Sequence, residues 1–421
     1  MAGSDHAFLP RLLARPLEDA LAVFPVVAVT GARQTGKTTL VRHLGGGRTY
    51  LSLDDLDVRD QAISAPDDLL GRAAQLTVDE VQRSPDLLLA LKRAVDRDRR
   101  PGRFLLTGSA NLLLSQRIAE TLAGRATYLT LWPFTQGELS GAGRAGGWTA
   151  LFSRPPREWP ELLSEGGRPI DWKARASCGG YPTPATALRN GEQRALWFSG
   201  FTQTYLERDL RDLARIESLV EFRRLMRAAC LRLGNLMNQT ELARDTGIPR
   251  ATVQRYLDLL ETSYQLVRLE PYSVNRTKRL IKAPKLYWTD TGLALHLGDE
   301  DSPTGAHLEN LVLSDLLAWR DAEPRRPSVL YWRTAGGEEV DFVLERRGRL
   351  LAVEVKATRR PGHKDARHLR AFLDEYPKTA HGALLLHTGS TTEWLSERVL
   401  SVPWWRVLCT SMGAAATSAK A

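Results

Sequence analysis

The chain has 421 residues, of which 43% are hydrophobic and 25% charged, and its net charge is +9. These values are typical of a globular protein of two or three domains and exclude a largely disordered chain. No apolar run reaches membrane-spanning length and no signal-sequence pattern is present, so we expect a cytoplasmic protein without a membrane partner. Cys178, Cys230 and Cys409 lack metal-ligand spacing and are expected to be buried thiols.

The first motif in chain order is a glycine-rich loop at residues 31–38, which read G-x-x-x-x-G-K-T. It lies between an apolar predicted strand at residues 26–29 and a predicted helix at 38–44. Such a loop turns its backbone N–H groups and a helix N-terminus toward phosphate, while Lys37 adds a full charge and Thr38 holds Mg²⁺. The loop therefore predicts ATP and Mg²⁺ as cofactors. The residues expected to contact the nucleotide are Gly31, Arg33, Gln34, Thr35, Gly36, Lys37, Thr38 and Thr39.

An apolar run at residues 74–80 ends in two carboxylates, Asp79 and Glu80, and has the form of a Walker B strand. We expect Asp79 to hold the Mg²⁺ through water and Glu80 to polarise the attacking water, with Gln82 as a second water-orienting group. A solvated strand end would give the same pattern if it stood alone. Because the run follows a phosphate loop, we favour the catalytic interpretation.

Two further motifs complete the predicted ATPase site. Residues 104–111 predict another buried strand that ends in small polar residues, and the hydroxyl of Thr107 or Ser109 is expected to bond the γ-phosphate or the attacking water. Ser109 is equally suited to capping a helix. Arg125 precedes a strand at residues 127–131 and is a candidate arginine finger for a neighbouring subunit, the alternative being an ordinary surface arginine.

The order of these motifs resembles that of AAA-plus ATPases. More narrowly, it resembles a prokaryotic group in which the ATPase is fused to a C-terminal nuclease-like domain of unknown function. The resemblance implies an α/β domain with a mainly parallel sheet and a homo-oligomer, a ring with a hexamer as one option, in which Arg125 acts across the interface. The second sensor arginine of the broad AAA-plus pattern is not identifiable in this sequence.

The middle of the chain contains a predicted winged helix. Residues 238–261 read as a helix-turn-helix, and two strands at 265–269 and 285–288 flank a basic wing. Residues 222–285 contain 13 Lys and Arg against 5 Asp and Glu, which favours DNA as a partner over the alternative of a protein-packing module. The residues predicted to contact DNA are Arg250, Gln254, Arg255, Arg276, Lys278 and Arg279.

The third domain has Glu309 on a predicted helix, Asp341 on a strand, and Glu354 and Lys356 on one face of the next strand. This constellation resembles the PD-(D/E)xK nuclease superfamily, with Val340 where the signature has proline. The resemblance implies that Asp341 and Glu354 ligate Mg²⁺, that Lys356 positions a water and that Glu309 supports the metal. Whether the site cleaves DNA stays open.

The predicted fold class is α/β throughout: a P-loop AAA-plus domain (residues 1–140), a helical lid or linker (141–221), a winged helix (222–290), a nuclease-like domain (291–410) and a disordered tail (411–421). The leading hypothesis for function is an oligomeric ATPase that remodels or translocates DNA, with branched or forked DNA as one substrate. The alternatives are an ATP-regulated, magnesium-dependent nuclease and a regulatory ATPase whose winged helix docks a protein or represses transcription.

Overall fold

The computed structural model describes residues 8–44, 46–108, 122–164, 167–204, 216, 218–275 and 283–410. Four predicted site residues, Ser109, Arg276, Lys278 and Arg279, lie outside these ranges, as does the predicted tail. Among the described residues, no helix is long and apolar enough to cross a membrane. All three cysteines are free thiols; the one at position 230 is buried and the other two are partly exposed.

The N-terminal part is built on five parallel strands in the order β2-β3-β4-β1-β5. The strands are β1 (Val26–Thr30), β2 (Thr49–Ser52), β3 (Leu76–Asp79), β4 (Phe104–Thr107) and β5 (Ala126–Thr130). The helices are α1 (Ala14–Leu21), α2 (Lys37–Leu44), α3 (Leu56–Ser64), α4 (Pro66–Gly71) and α5 (Leu87–Arg97), with a short 3-10 turn at Val81–Arg83. Strands β1, β3 and β4 are fully buried, as continuous apolar runs predict for a covered parallel sheet. Since β4 lies between β1 and β3, the residues at their carboxyl ends meet at one edge.

A helical region follows the first sheet. It consists of α6 (Gln136–Leu139), α7 (Trp148–Ser153), α8 (Trp159–Leu162), α9 (Trp172–Cys178), α10 (Gly191–Phe201) and α11 (Leu219–Cys230), with short turns at Pro156–Glu158 and Thr183–Ala187. Trp148 and Trp159 are both fully buried. Trp148 Nε1 donates to Asp315 Oδ1 at 2.6 Å, and the Trp159 ring lies 5.7 Å from that of His381. The predicted boundaries at 141–221 and 291–410 stay a prediction, and side-chain packing crosses them.

The next segment contains α12 (Gln239–Thr246), α13 (Arg250–Thr262) and an antiparallel pair of strands, β6 (Leu266–Leu269) and β7 (Lys285–Trp288). The Asn238 side chain caps α12 by accepting from two backbone N–H groups, and Gly247 ends it at a φ of 67°. A three-residue turn therefore separates the two helices. The segment between β6 and β7 that carries the predicted wing lies largely outside the described residues.

The C-terminal part has a mixed six-stranded sheet of order β12-β13-β11-β10-β9-β8. Its strands are β8 (Ser328–Arg333), β9 (Glu339–Arg346), β10 (Arg349–Lys356), β11 (Ala380–His387), β12 (Glu393–Ser396) and β13 (Val399–Pro403). Its helices are α14 (Thr291–Gly298), α15 (Gly305–Ala322), α16 (Arg367–Glu375) and α17 (Trp404–Cys409). Strands β8, β9 and β10 pair antiparallel, and β11 returns parallel to β10 after α16. The chain thus has a parallel-sheet P-loop domain and a separate C-terminal sheet domain.

Candidate nucleotide-binding site

The glycine-rich loop has a backbone that only certain residues allow. Gly31, Gln34 and Gly36 adopt positive φ angles of 138°, 63° and 94°. A Cβ at Gly31 would lie 2.3 Å from the carbonyl oxygen of Leu131, so the loop packs against the strand beside it without room for a side chain. Helix α2 begins at Lys37, directly after the second glycine, and its N-terminus therefore opens onto the loop.

Lys37 is held inside the loop. Its side chain is buried, and Nζ donates to the carbonyl oxygens of Gly31 at 3.2 Å and Ala32 at 2.8 Å. Burial lowers the pKa of Lys37 to about 8, although Glu80 and Asp79 oppose the shift. A triphosphate would add anionic partners and favour the charged lysine. The loop and its ammonium thus fit a phosphate ligand.

The other predicted loop residues differ in exposure. Thr35 is buried and its hydroxyl donates to the carbonyl oxygen of Ala32 at 2.9 Å, which closes the turn. The side chains of Arg33, Gln34 and Thr39 are exposed. Their expected contact with nucleotide stays a prediction.

Asp79 is the meeting point of four elements. Thr38 Oγ1, at the start of α2, donates to Asp79 Oδ2 at 2.8 Å, and the Tyr50 hydroxyl on β2 donates to the same oxygen at 2.5 Å. Thr107 Oγ1, at the end of β4, donates to Asp79 Oδ1. A threonine hydroxyl beside a carboxylate supplies the oxygen ligands that Mg²⁺ prefers, so this group fits the metal. Burial and the bond to Asp79 raise the pKa of Tyr50, which keeps its hydroxyl protonated.

Glu80 has an unusual backbone. Its φ is 57°, in the left-handed region that a non-glycine residue rarely adopts. Its N–H donates to Thr107 Oγ1 at 3.3 Å, and the Gln82 amide donates to its carboxylate. Strained residues of this kind cluster at functional sites, where surrounding contacts hold them in place. The conformation is thus consistent with a positioned carboxylate.

Sequence reasoning missed Arg11, which fastens the loop from outside. Its guanidinium donates to the Thr35 carbonyl at 2.9 Å, the Trp132 carbonyl at 2.6 Å and Glu138 Oε1 at 3.0 Å. The Arg11 and Glu138 side chains are 4% and 3% exposed. Because Arg11 bonds both the loop and Glu138, the pair joins the loop to α6. Removing either member would leave an unpaired buried charge and destabilise this connection. Only a capping-box pattern at residues 135–138 was readable in the sequence.

A small apolar pocket lies beside the loop. Its volume is about 270 Å³, and Gly36 and Thr39 line it together with Phe8, Phe134 and Pro182. Aromatic and apolar walls next to a phosphate-binding loop suit a planar base. The pocket, which Arg11 also lines, is therefore a candidate place for the nucleoside part of a nucleotide.

Comparison with known proteins agrees with this geometry. An AAA domain matches residues 23–140, and two domains of unknown function, DUF8612 and DUF4143, match residues 170–304 and 304–407. An uncharacterized protein of Mycobacterium tuberculosis is 32% identical over 406 residues, covering 94% of this chain and 83% of the relative, and one of Mycobacterium bovis matches equally. The chain belongs to the family of these mycobacterial proteins. In this member of the family, the N-terminal part is an AAA-type P-loop ATPase domain.

More distant similarities extend to another bacterium and to solved structures. An uncharacterized protein of Haemophilus influenzae is 22% identical over 281 residues, covering 65% of this chain and 64% of the relative. The Walker-type ATPase PABY2304 of Pyrococcus abyssi is 17% identical, covers 69% of this chain and 99% of its own, and has a TM-score of 0.42. AMPPCP-bound DnaA of Aquifex aeolicus is 14% identical, covers 59% of this chain and 86% of its own, and has a TM-score of 0.26.

Arg125 lies away from the nucleotide site of its own chain. It directly precedes β5, at the amino end of the strand, whereas the phosphate loop follows the carboxyl end of β1. Its guanidinium donates to both carboxylate oxygens of Asp96 on α5, at 2.7 and 3.0 Å. Arg125 therefore lies at the opposite edge of the sheet from the phosphate loop of its own chain, and its role as an arginine finger stays a prediction.

The structure brings the predicted nuclease-like residues together and adds a lysine. Lys356 Nζ lies 2.7 Å from Glu354 Oε1, and the Asp341 N–H donates to Glu354 Oε2 at 3.4 Å. Lys285 Nζ, from β7, lies 3.3 Å from Glu309 Oε1 and 3.4 Å from Asp341 Oδ1. Burial and the neighbouring Asp341 raise the pKa of Glu309 to about 7 and that of Glu354 to about 8. Burial alone would lower the pKa of Lys285, but the carboxylates outweigh it and raise that pKa.

The predicted DNA-contacting helix, α13, exposes two arginines. Arg250 and Arg255 are exposed, whereas Gln254 is half-buried and bonds to Asp258 Oδ1 at 2.7 Å. Several other basic residues of the segment are engaged within the protein, in ion pairs of Arg227, Arg232, Arg244, Arg268 and Lys285. The local excess of positive charge is therefore smaller on the surface than in the sequence.

Proposed function

We propose that this protein is an oligomeric AAA-type ATPase that uses ATP hydrolysis to remodel or translocate DNA. The observation that carries the ATPase part is the group formed by Thr38, Asp79 and Thr107 beside the buried Lys37. The ends of two strands, β3 and β4, and the start of helix α2 converge there. That convergence is what phosphoryl transfer needs, because its catalysis is mostly positioning and charge stabilisation.

In the proposed site, the loop N–H groups and Lys37 bind the phosphates of ATP, and Thr38 and Asp79 hold Mg²⁺. The bound metal supplies charge neutralisation on the phosphoryl oxygens. Glu80 orients and polarises the attacking water, and Gln82 fixes the Glu80 carboxylate. The Thr107 hydroxyl donates to Asp79 and accepts from the Glu80 N–H, so a shift of either residue would change its hydrogen bonds. Arg125 completes the site of a neighbouring subunit.

Two features support DNA as the substrate. Arg250 and Arg255 are exposed on the second helix of a helix-turn-helix, which is the helix that enters the major groove in DNA-binding proteins of this kind. The turn after that helix contacts the ATPase domain directly, because the Tyr264 hydroxyl lies 3.0 Å from Thr30 Oγ1, one residue before the phosphate loop. If DNA binding shifted the helix-turn-helix, the shift would therefore reach the nucleotide site through this single contact.

The test compares ATP turnover with single-stranded, duplex and four-way DNA, together with DNA affinity as a function of salt. Arg250→Ala with Arg255→Ala is expected to weaken DNA binding and to lower the slope of log affinity against log salt by about two, one for each lost phosphate contact. Arg97→Ala, which removes an exposed arginine of the ATPase domain, is the matched control and should leave the slope unchanged. An ATPase that neither binds nor responds to any of these DNAs would contradict the proposal.

A further inference from the structure

The carboxylates of the nuclease-like cluster surround a lysine ammonium. Lys285 Nζ lies 2.6 Å from Glu339 Oε1, 3.3 Å from Glu309 Oε1 and 3.4 Å from Asp341 Oδ1. The Lys285 side chain is 2% exposed. A divalent metal needs several carboxylate oxygens about 2.0 to 2.6 Å from a single point, and here the ammonium holds that position.

Other donors of the chain complete the bonding of the same carboxylates. The Tyr287 hydroxyl donates to Glu309 Oε1, and the Val355 N–H donates to Asp341 Oδ2 at 2.9 Å. Glu354 accepts from Lys356. Within the described part of the chain, no group of three His, Cys, Asp or Glu side chains is arranged to hold a metal ion. The Mg²⁺ that the nuclease resemblance implies therefore does not fit this cluster.

The same contacts attach strand β7 to helix α15. Lys285 and Tyr287, two residues apart on β7, share one strand face and both reach Glu309. The next residue of α15, Asn310, bonds both backbone groups of Trp288, accepting at 2.9 Å and donating at 2.8 Å. Two consecutive helix residues thus hold three of the four residues of the strand that follows the predicted wing.

We propose that Lys285 is the built-in cation of this cluster in place of a divalent metal, and that the cluster fastens the strand after the wing to the C-terminal domain instead of cleaving DNA. The arrangement is stable only as a set, because a buried ion that loses its partner is strongly destabilising. The proposal is independent of whether DNA is the substrate of the ATPase.

The first experiment measures Mn²⁺ binding by full-length, nucleotide-free protein with calorimetry. Wild type, Asp341→Asn and Glu338→Gln are compared, the last removing an exposed carboxylate just before β9. Equal stoichiometry and affinity are expected for all three proteins. The proposal is overturned if wild type binds a Mn²⁺ ion that Asp341→Asn loses and Glu338→Gln retains.

The second experiment is a thermal unfolding cycle with Lys285→Met, Asp341→Asn and the double variant. Lys285→Met is expected to lower the midpoint by about 5 to 10 °C, since it leaves buried carboxylates without their cation. The double variant should be more stable than Lys285→Met, because one of those carboxylates is gone. If the midpoint shifts of the two single variants add up to the shift of the double variant, the pairing of Lys285 with Asp341 is refuted. If Lys285→Met does not fold, recovery of folding in the double variant supports the pairing, and a double variant that also fails to fold refutes it.

Discussion

Arg125→Ala should abolish ATP turnover while leaving ATP binding and folding intact. Arg125 precedes Ala126, which is in register with Val26, and the phosphate loop begins five residues further along β1 at Gly31. At about 3.3 Å per residue, roughly 16 Å of strand separates the backbone beside Arg125 from the loop of its own chain, which is more than an arginine side chain spans. An arginine finger supplied by a neighbour contributes about 10³ to 10⁵ in kcat, so a loss of this size is expected. The free energy of unfolding should change little, since the ion pair of Arg125 with Asp96 is partly exposed and such pairs contribute little to stability.

Complementation separates a finger acting between subunits from a structural arginine. Lys37→Ala and Arg125→Ala should each be inactive alone, but mixed subunits place an intact loop beside an intact Arg125. Random assembly then restores about a quarter of the wild-type sites, because in a heterologous interface the loop must come from an Arg125→Ala subunit and the arginine from a Lys37→Ala subunit. Asp96→Ala, which removes only the partner of Arg125, is the control and should remain active. If co-assembled variants hydrolyse no more ATP than they do separately, the reasoning fails.

Three further predictions address other residues. Glu80→Gln should retain ATP affinity and lower kcat by about 10² to 10⁴; unchanged phosphate release would exclude Glu80 as the group that activates water. Burial raises the pKa of Asp315 to about 7, so its contribution to folding is present at low pH and is lost as the pH rises through about 7. In urea unfolding, the free energy of unfolding of wild type should fall by up to about 4 kcal/mol between pH 4 and 8 because of this group, and that of Asp315→Asn should not show this fall. Parallel pH profiles of the two proteins would refute the prediction. Tyr264→Phe should cost about 1 kcal/mol of stability and reduce DNA stimulation of turnover without changing the basal rate, and full stimulation would disprove the contact's role.

The phosphate loop was predictable because its information is local. Strand, glycines, lysine and helix start are contiguous, and each residue type follows from backbone geometry or phosphate charge. Tyr50 and Arg11 were not predictable by the same means. Tyr50 reaches Asp79 because β2 pairs with β3, and Arg11 reaches Glu138 across 127 residues of chain. Neither pairing leaves a pattern in the sequence around the residue.

The basic segment shows where counting charges misleads. Lys285 contributes to the positive excess between residues 222 and 285, yet its side chain is buried among carboxylates of another domain. The sequence identified Glu309, Asp341 and Glu354 as a group, since helix and strand positions limit where they can lie. It could not identify the cation between them, because Lys285 comes from a strand that precedes the domain.

A continuous set of contacts joins the phosphate loop to this cluster. Thr30, the residue before Gly31, meets the Tyr264 hydroxyl at 3.0 Å, and the Tyr264 carbonyl accepts from Thr289 Oγ1 at 2.7 Å. Thr289 directly follows β7, whose first residue is Lys285. Because the cluster fixes β7 to α15, a nucleotide-driven shift at the end of β1 would move the helix-turn-helix and the C-terminal domain together. Proximity alone does not establish such coupling, which requires an element that both sites bias. In the proposed function, strand β7 would be that element, and we expect loosening it at Lys285 to weaken DNA stimulation of ATP turnover as much as breaking the contact at Tyr264.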